Sequence, residues 1–113
     1  MKLSTKEVDG ITVFILEGSV IGGPDAASLN DALHKLVERN KNKVVLDLAE
    51  IQSMNSSGIA MMINALKIMK DAGGSMKIAA ASKKIESLIE MTKLTTIFEL
   101  YPTVKKAADS FAS

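Results

Sequence analysis

Few residues in this 113-residue chain have the types and spacing to do chemistry. Hydroxyls, an amide and a glycine meet in Met54-Asn55-Ser56-Ser57-Gly58-Ile59, just ahead of a segment with helical apolar spacing. Asn and Ser there are good helix caps, and losing a cap costs about 1 kcal/mol. Capping does not explain Gly58, because glycine weakens a helix by about 1 kcal/mol relative to alanine. A glycine is useful where another group must approach the backbone closely. A serine nucleophile needs a base, and the one histidine, His34, lies on the polar face of its own predicted helix. It reads as a solvated surface residue, and nothing in the sequence brings it to Ser56. With one histidine, no cysteine and no carboxylates at ligand spacing, no metal site is expected. Gly22-Gly23 and Gly73-Gly74 lack the phosphate-loop and dinucleotide patterns and read as a turn and a helix stop. Lys83-Lys84 and Lys105-Lys106 have no interleaved aromatics and read as solvated helix starts, not as a nucleic-acid patch. No catalytic residue and no cofactor are expected, so an enzyme is a poor reading.

Bulk properties agree with a small globular domain spanning 1–113. Hydrophobic residues make up 47% and charged residues 24% of the chain, an ordinary balance. A chain of this size buries about 65% of its unfolded surface, enough for one core. A net charge of +1 supplies no field for nucleic acid or an anionic membrane. Met1-Lys2-Leu3-Ser4-Thr5-Lys6-Glu7 has no apolar signal region, and no uncharged run approaches the ~20 residues of a membrane span. The expected location is the cytoplasm.

The elements that must position the serines follow from periodicity. Leu3 to Val8 is a weak strand ended by Asp9-Gly10, a hairpin turn signal. Ile11 to Leu16 and Lys43 to Leu48 are apolar on both faces and read as buried strands. Pro24 and Asp25 suit the first turn of a helix that runs to about Asn40. Ser56 or Ser57 opens the next helix, with Ile59, Met62, Ile63, Leu66 and Met69 as its core stripe. Gly73 or Gly74 stops it. Met76 to Ala81 is another strand, and Ser82 caps a short helix carrying Ile85, Leu88 and Ile89. Ile97 to Leu100 reads as a short edge strand, and Pro102-Thr103 as the start of a last helix. The order is ββαβαβαβα, an α/β fold with a mostly parallel sheet and an N-terminal antiparallel hairpin.

The helix after Ser56 has a second apolar stripe, Met61, Ala65, Ile68 and Ala72. Its apolar arc is roughly twice the ~100° of a one-sided surface helix. Burial between the sheet and a neighbouring helix explains this, and so does a partner surface, for which methionine is well suited.

Val44-Val45-Leu46-Asp47-Leu48, then Met54-Asn55-Ser56-Ser57-Gly58-Ile59, then Ala72-Gly73-Gly74 and Met76-Lys77-Ile78, together resemble the STAS domain, and more specifically bacterial anti-sigma factor antagonists. The resemblance covers essentially the whole chain. It implies that Ser56 is phosphorylated by an anti-sigma factor that is also a serine kinase, and that a serine phosphatase reverses this. The unmodified protein would bind the anti-sigma factor and so release a sigma factor. Asn55, Ser57, Gly58, Met61 and Asp25 are the implied partner contacts, with no nucleic acid or membrane contact and a monomer or weak dimer. Asn55 stands where the family often has Asp, and Ala60 where it often has Gly. The loop Ser19 to Asp25 lacks an early acidic residue. The alternative is a STAS-like accessory subunit of a membrane lipid transporter, or another unswitched scaffold.

Overall fold

The computed structural model describes residues 1–111. In chain order the elements are β1 (Lys2–Val8), β2 (Ile11–Val20), α1 (Pro24–Glu38), β3 (Lys43–Met54), α2 (Ser56–Asp71), β4 (Ser75–Ala79), α3 (Lys83–Met91), a 3-10 turn (Leu94–Thr96), β5 (Leu100–Tyr101) and α4 (Val104–Ser110). This is the expected order with one extra turn. The strands form one sheet in the order β1-β2-β3-β4-β5. β1 and β2 are antiparallel, and the other pairs are parallel. Asp9 (φ 53) and Gly10 (φ 80) make the hairpin turn, both in the left-handed region that a tight two-residue turn needs.

Each parallel step moves one strand in the same direction. Right-handed crossovers therefore put α1, α2 and α3 on one face of the sheet. The main core lies there: Phe14, Leu16, Leu46, Leu48 and Ile78 from the strands meet Leu29, Leu33, Met62, Met69, Ile85 and Ile89 from the helices. The other face has a smaller core, where Val13, Val45 and Ala79 are covered by Ala107 and Ala108 of α4. Cover on both faces is why β2 and β3 read as continuous apolar runs. Lys77 is buried under this second layer. Its Nζ donates to Ser110 Oγ at 2.7 Å, lies 4.2 Å from the Phe111 ring centroid and 3.6 Å from the Glu99 carboxylate.

Two strands run further than their apolar runs. β2 continues to Val20 and β3 to Met54, past the expected ends at Leu16 and Leu48. The register shifts between Ile15 and Glu17 and again between Gly18 and Ser19, so bulges break the alternation that would reveal these tails. A hydroxyl pair, Ser53 donating to Ser19 at 2.8 Å, joins them. The last strand is displaced: Ile97 precedes it, 44% exposed, and pairing begins at Leu100. β4 ends at Ala79 rather than Ala81, because Ala80 turns into the left-handed region (φ 59).

Candidate functional site

The serines sit where the two longest strands end together. Val20 and Met54 are paired at the carboxyl ends of β2 and β3, and the Asn55 amide donates to Val20 O at 3.4 Å. α2 begins at the next residue. Asn55 is extended (φ −108, ψ −176), and its Oδ1 accepts from the Gly58 amide at 2.9 Å. Of the three cap candidates in the sequence, Asn55 is therefore the cap. Ser56 and Ser57 are the first two helical residues, and both are exposed. Among the described residues, the Ser56 hydroxyl has no hydrogen-bond partner. The Ser56 and Ser57 amides have no acceptor inside the helix, and they form its positive end. No acidic side chain lies in this first turn.

The close approach expected at Gly58 comes from within the chain. A Cβ on Gly58 would lie 2.3 Å from the Val20 carbonyl oxygen and 2.8 Å from Met54 Cγ. Gly22 (φ +84) also comes near, with its Cβ position 2.9 Å from Ser57 Cβ. The end of β2 and the loop that follows it are thus pressed against the first turn of α2, at Gly58 and Ser57.

The expected partner contacts divide. Asn55 and Ser57 are exposed beside Ser56. Gly58 is buried, and Met61, only 4% exposed, belongs to the main core; neither presents a side chain to a partner. Asp25 is half-buried in the first turn of α1. Its carboxylate accepts from the Ile21 amide at 3.5 Å and lies 3.4 Å from the Met1 amino group. Ile63, expected in the core stripe, is instead 39% exposed. Met61 and Ala65 of the second apolar stripe go inward, Ile68 and Ala72 are half-buried, and one member of the first stripe goes outward, because α2 packs on α1 as well as on the sheet. Ile21, 59% exposed in the loop beside Ser57, was not singled out from sequence. An apolar residue ahead of Gly22-Gly23 was its only signal, and no periodicity marks it as exposed.

His34 is exposed on α1 near Asp71 and Ala72, at the end of α2 opposite Ser56. Among the described residues, no three His, Cys, Asp or Glu side chains are grouped to hold a metal. Among them, too, no helix is long and apolar enough to cross a membrane.

The STAS domain family model matches residues 2–107. The chain belongs to the STAS domain family. This STAS domain is 24% identical over 111 residues to BtrV of Bordetella bronchiseptica, covering 98% of this chain and 95% of that one. Its fold is shared by an anti-sigma factor antagonist from Mycobacterium paratuberculosis (TM-score 0.83, 21% identity, 99% and 94% of the two chains). It is also shared by the Bacillus anti-sigma factor antagonist SpoIIAA, solved unphosphorylated (TM-score 0.74, 10% identity, 98% and 97% of the chains) and phosphorylated (TM-score 0.74, 12% identity, 97% and 99%). The α/β fold with an N-terminal hairpin is that of the family.

Proposed function

We propose that this STAS domain is an anti-sigma factor antagonist whose contact with its partner is switched by phosphorylation of Ser56. One observation carries the reading: Asn55 does the capping, which leaves the Ser56 hydroxyl, like that of Ser57, exposed and unbonded at the positive end of α2, and the family resemblance selects the first of the two. A phosphoryl acceptor needs that freedom. Several similar proteins support the role, because they are anti-sigma factor antagonists, one of them solved in both phosphorylation states. The partner is an anti-sigma factor with serine kinase activity, a phosphatase resets the switch, and the domain itself catalyses nothing.

The physical effect falls on the interface and not on the fold. A phosphate adds about −1.5 to −2 charge. At a helix N-terminus such a charge is favoured by roughly 0.3–1 kcal/mol, so the domain stays folded. Against a partner surface shaped for a neutral hydroxyl, a buried and imperfectly paired charge costs about 2–5 kcal/mol, or roughly 30- to several-thousand-fold in affinity. Asn55 adds no charge beside the acceptor, so the phosphate alone makes the change of sign.

The test is phosphotransfer from ATP by the anti-sigma-type serine kinase encoded in the same genome, read by mass spectrometry. Label on Ser56, lost in Ser56→Ala, is the expected result. Absence of label, or label on another residue, overturns the reading.

A further inference from the structure

The outer flank of α2 carries a second feature, far from Ser56. Ile63 to Lys70 begins about 10 Å and ends about 20 Å along the helix from Ser56, at 1.5 Å per residue. There α2 and the 3-10 turn border an open groove of about 430 Å³, lined by Ile63, Leu66, Lys67, Lys70, Thr96 and Ile97. Its apolar side includes two aliphatic residues left in water, Ile63 at 39% and Ile97 at 44% exposed. Its charged side is purely cationic, because no lining residue is acidic. Lys67 meets Asp71 at 3.3 Å, but both side chains are about 70% exposed (72% and 69%). Such an i,i+4 pair contributes only a few tenths of a kcal/mol and yields readily to a better partner. Among the described residues no carboxylate pairs with Lys70.

We propose that this groove docks an acidic amphipathic helix of a partner protein, with an apolar anchor seated on Ile63, Leu66 and Ile97 and carboxylates paired with Lys67 and Lys70. The charge pattern selects the occupant. An amphipathic helix brings anchors at i, i+3, i+4 and i+7 and can carry acids along their border. A small ligand needs a pocket that hides roughly 70–90% of its surface, and this groove is open. An anionic membrane surface is drawn by clusters of about four to eight basic residues, and two lysines are fewer than that. A two-fold pairing with a second copy would bring the same lysines together. The proposal does not rest on the phosphorylation of Ser56, and it stands or falls separately from it.

The test is an NMR titration of the full ¹⁵N-labelled chain with two synthetic helical peptides. Both carry Leu at i, i+3, i+4 and i+7. One has Glu at the flanking positions, and the other has Lys. The acidic peptide is expected to shift the amides of Ile63, Lys67, Lys70, Thr96 and Ile97, with affinity between about 10 μM and about 1 mM. Binding should weaken between ~50 mM and ~500 mM salt, as screening shortens the reach of the charges. The double variant Lys67→Glu, Lys70→Glu changes exposed residues only and should keep its circular dichroism spectrum. It should reverse the preference toward the basic peptide by about tenfold or more. No localised shift at about 1 mM acidic peptide, equal response to both peptides, or shifts mapped elsewhere each overturn the proposal. So does a groove that responds to monomeric sodium laurate but not to peptide, or to dilution of the protein alone. Those outcomes would assign it to a fatty acid and to self-association respectively.

Discussion

The two ends of α2 are built in opposite ways. At Ser56 the helix is pressed so closely on the end of β2 that Gly58 has no room for a methyl group beside the Val20 carbonyl. At Ile63 to Lys70 the same helix borders an open groove, with aliphatic and cationic side chains in water. A helix can thus be packed tightly on its neighbours at one end and keep an open surface at the other. Apolar content alone does not distinguish the two. Met61 and Ile63 are close in sequence and both apolar, yet one is 4% exposed and the other 39%.

The comparison can be tested by substitutions of decreasing effect. The largest change is expected at the proposed switch. Ser56→Asp should keep the far-UV circular dichroism spectrum and weaken binding to the anti-sigma factor by about 2–5 kcal/mol in a calorimetric titration. Ser56→Ala should bind like the parent and ignore the kinase. Unfolding of Ser56→Asp would show that the charge acts on the fold instead of the interface. Gly58→Ala comes next. Overpacking against a backbone carbonyl should cost about 1–3 kcal/mol by urea unfolding. At the open end, Ile63→Ala should cost under about 1 kcal/mol, since its side chain is partly solvated already. Equal losses at the two positions would erase the contrast between the ends.

Asn55 offers a finer probe. Asn55→Ala should lose about 1 kcal/mol with the cap, whereas Asn55→Asp keeps the acceptor for the Gly58 amide and gains about 0.3–1 kcal/mol from charge at the positive helix end. Thermal midpoints of the two variants should therefore fall on opposite sides of the parent. The smallest effect belongs to the exposed Lys67–Asp71 pair, where Lys67→Ala should change stability by no more than about 0.5 kcal/mol. A larger loss would mean that the pair holds the end of α2 in place, which would leave Lys67 less free to meet a partner.

Much of the fold was legible because it is written locally. The Asp9-Gly10 turn, the apolar runs of β2 and β3, and the caps at Ser82 and Thr103 each depend on a few adjacent residues. The tails of β2 and β3 were not legible, because Glu17-Gly18-Ser19 and Ala49 to Ser53 are held by cross-strand pairing through bulges. The short last strand was placed three residues too early. Ile97-Phe98 looks like a strand, but only Phe98 turns inward, at 3% exposed, and sheet pairing starts at Leu100. At the candidate site, the place of Ser56 at a helix start was visible from its neighbours and the burial of Met61 was one of two open readings, whereas the burial of Gly58 and the internal contacts of Asp25 were not legible.

By itself the sequence determined that a serine would stand at the start of a helix following a buried strand, and that the chain has one histidine and no cysteine. Cap preference and periodicity are short-range, and residue inventories need no geometry. Only the tertiary structure decided which residue caps and which side of a doubly apolar helix meets water. Those depend on the Val20 carbonyl, the β2–α1 loop and α1, groups that lie far from α2 along the chain and touch it only after the sheet has formed.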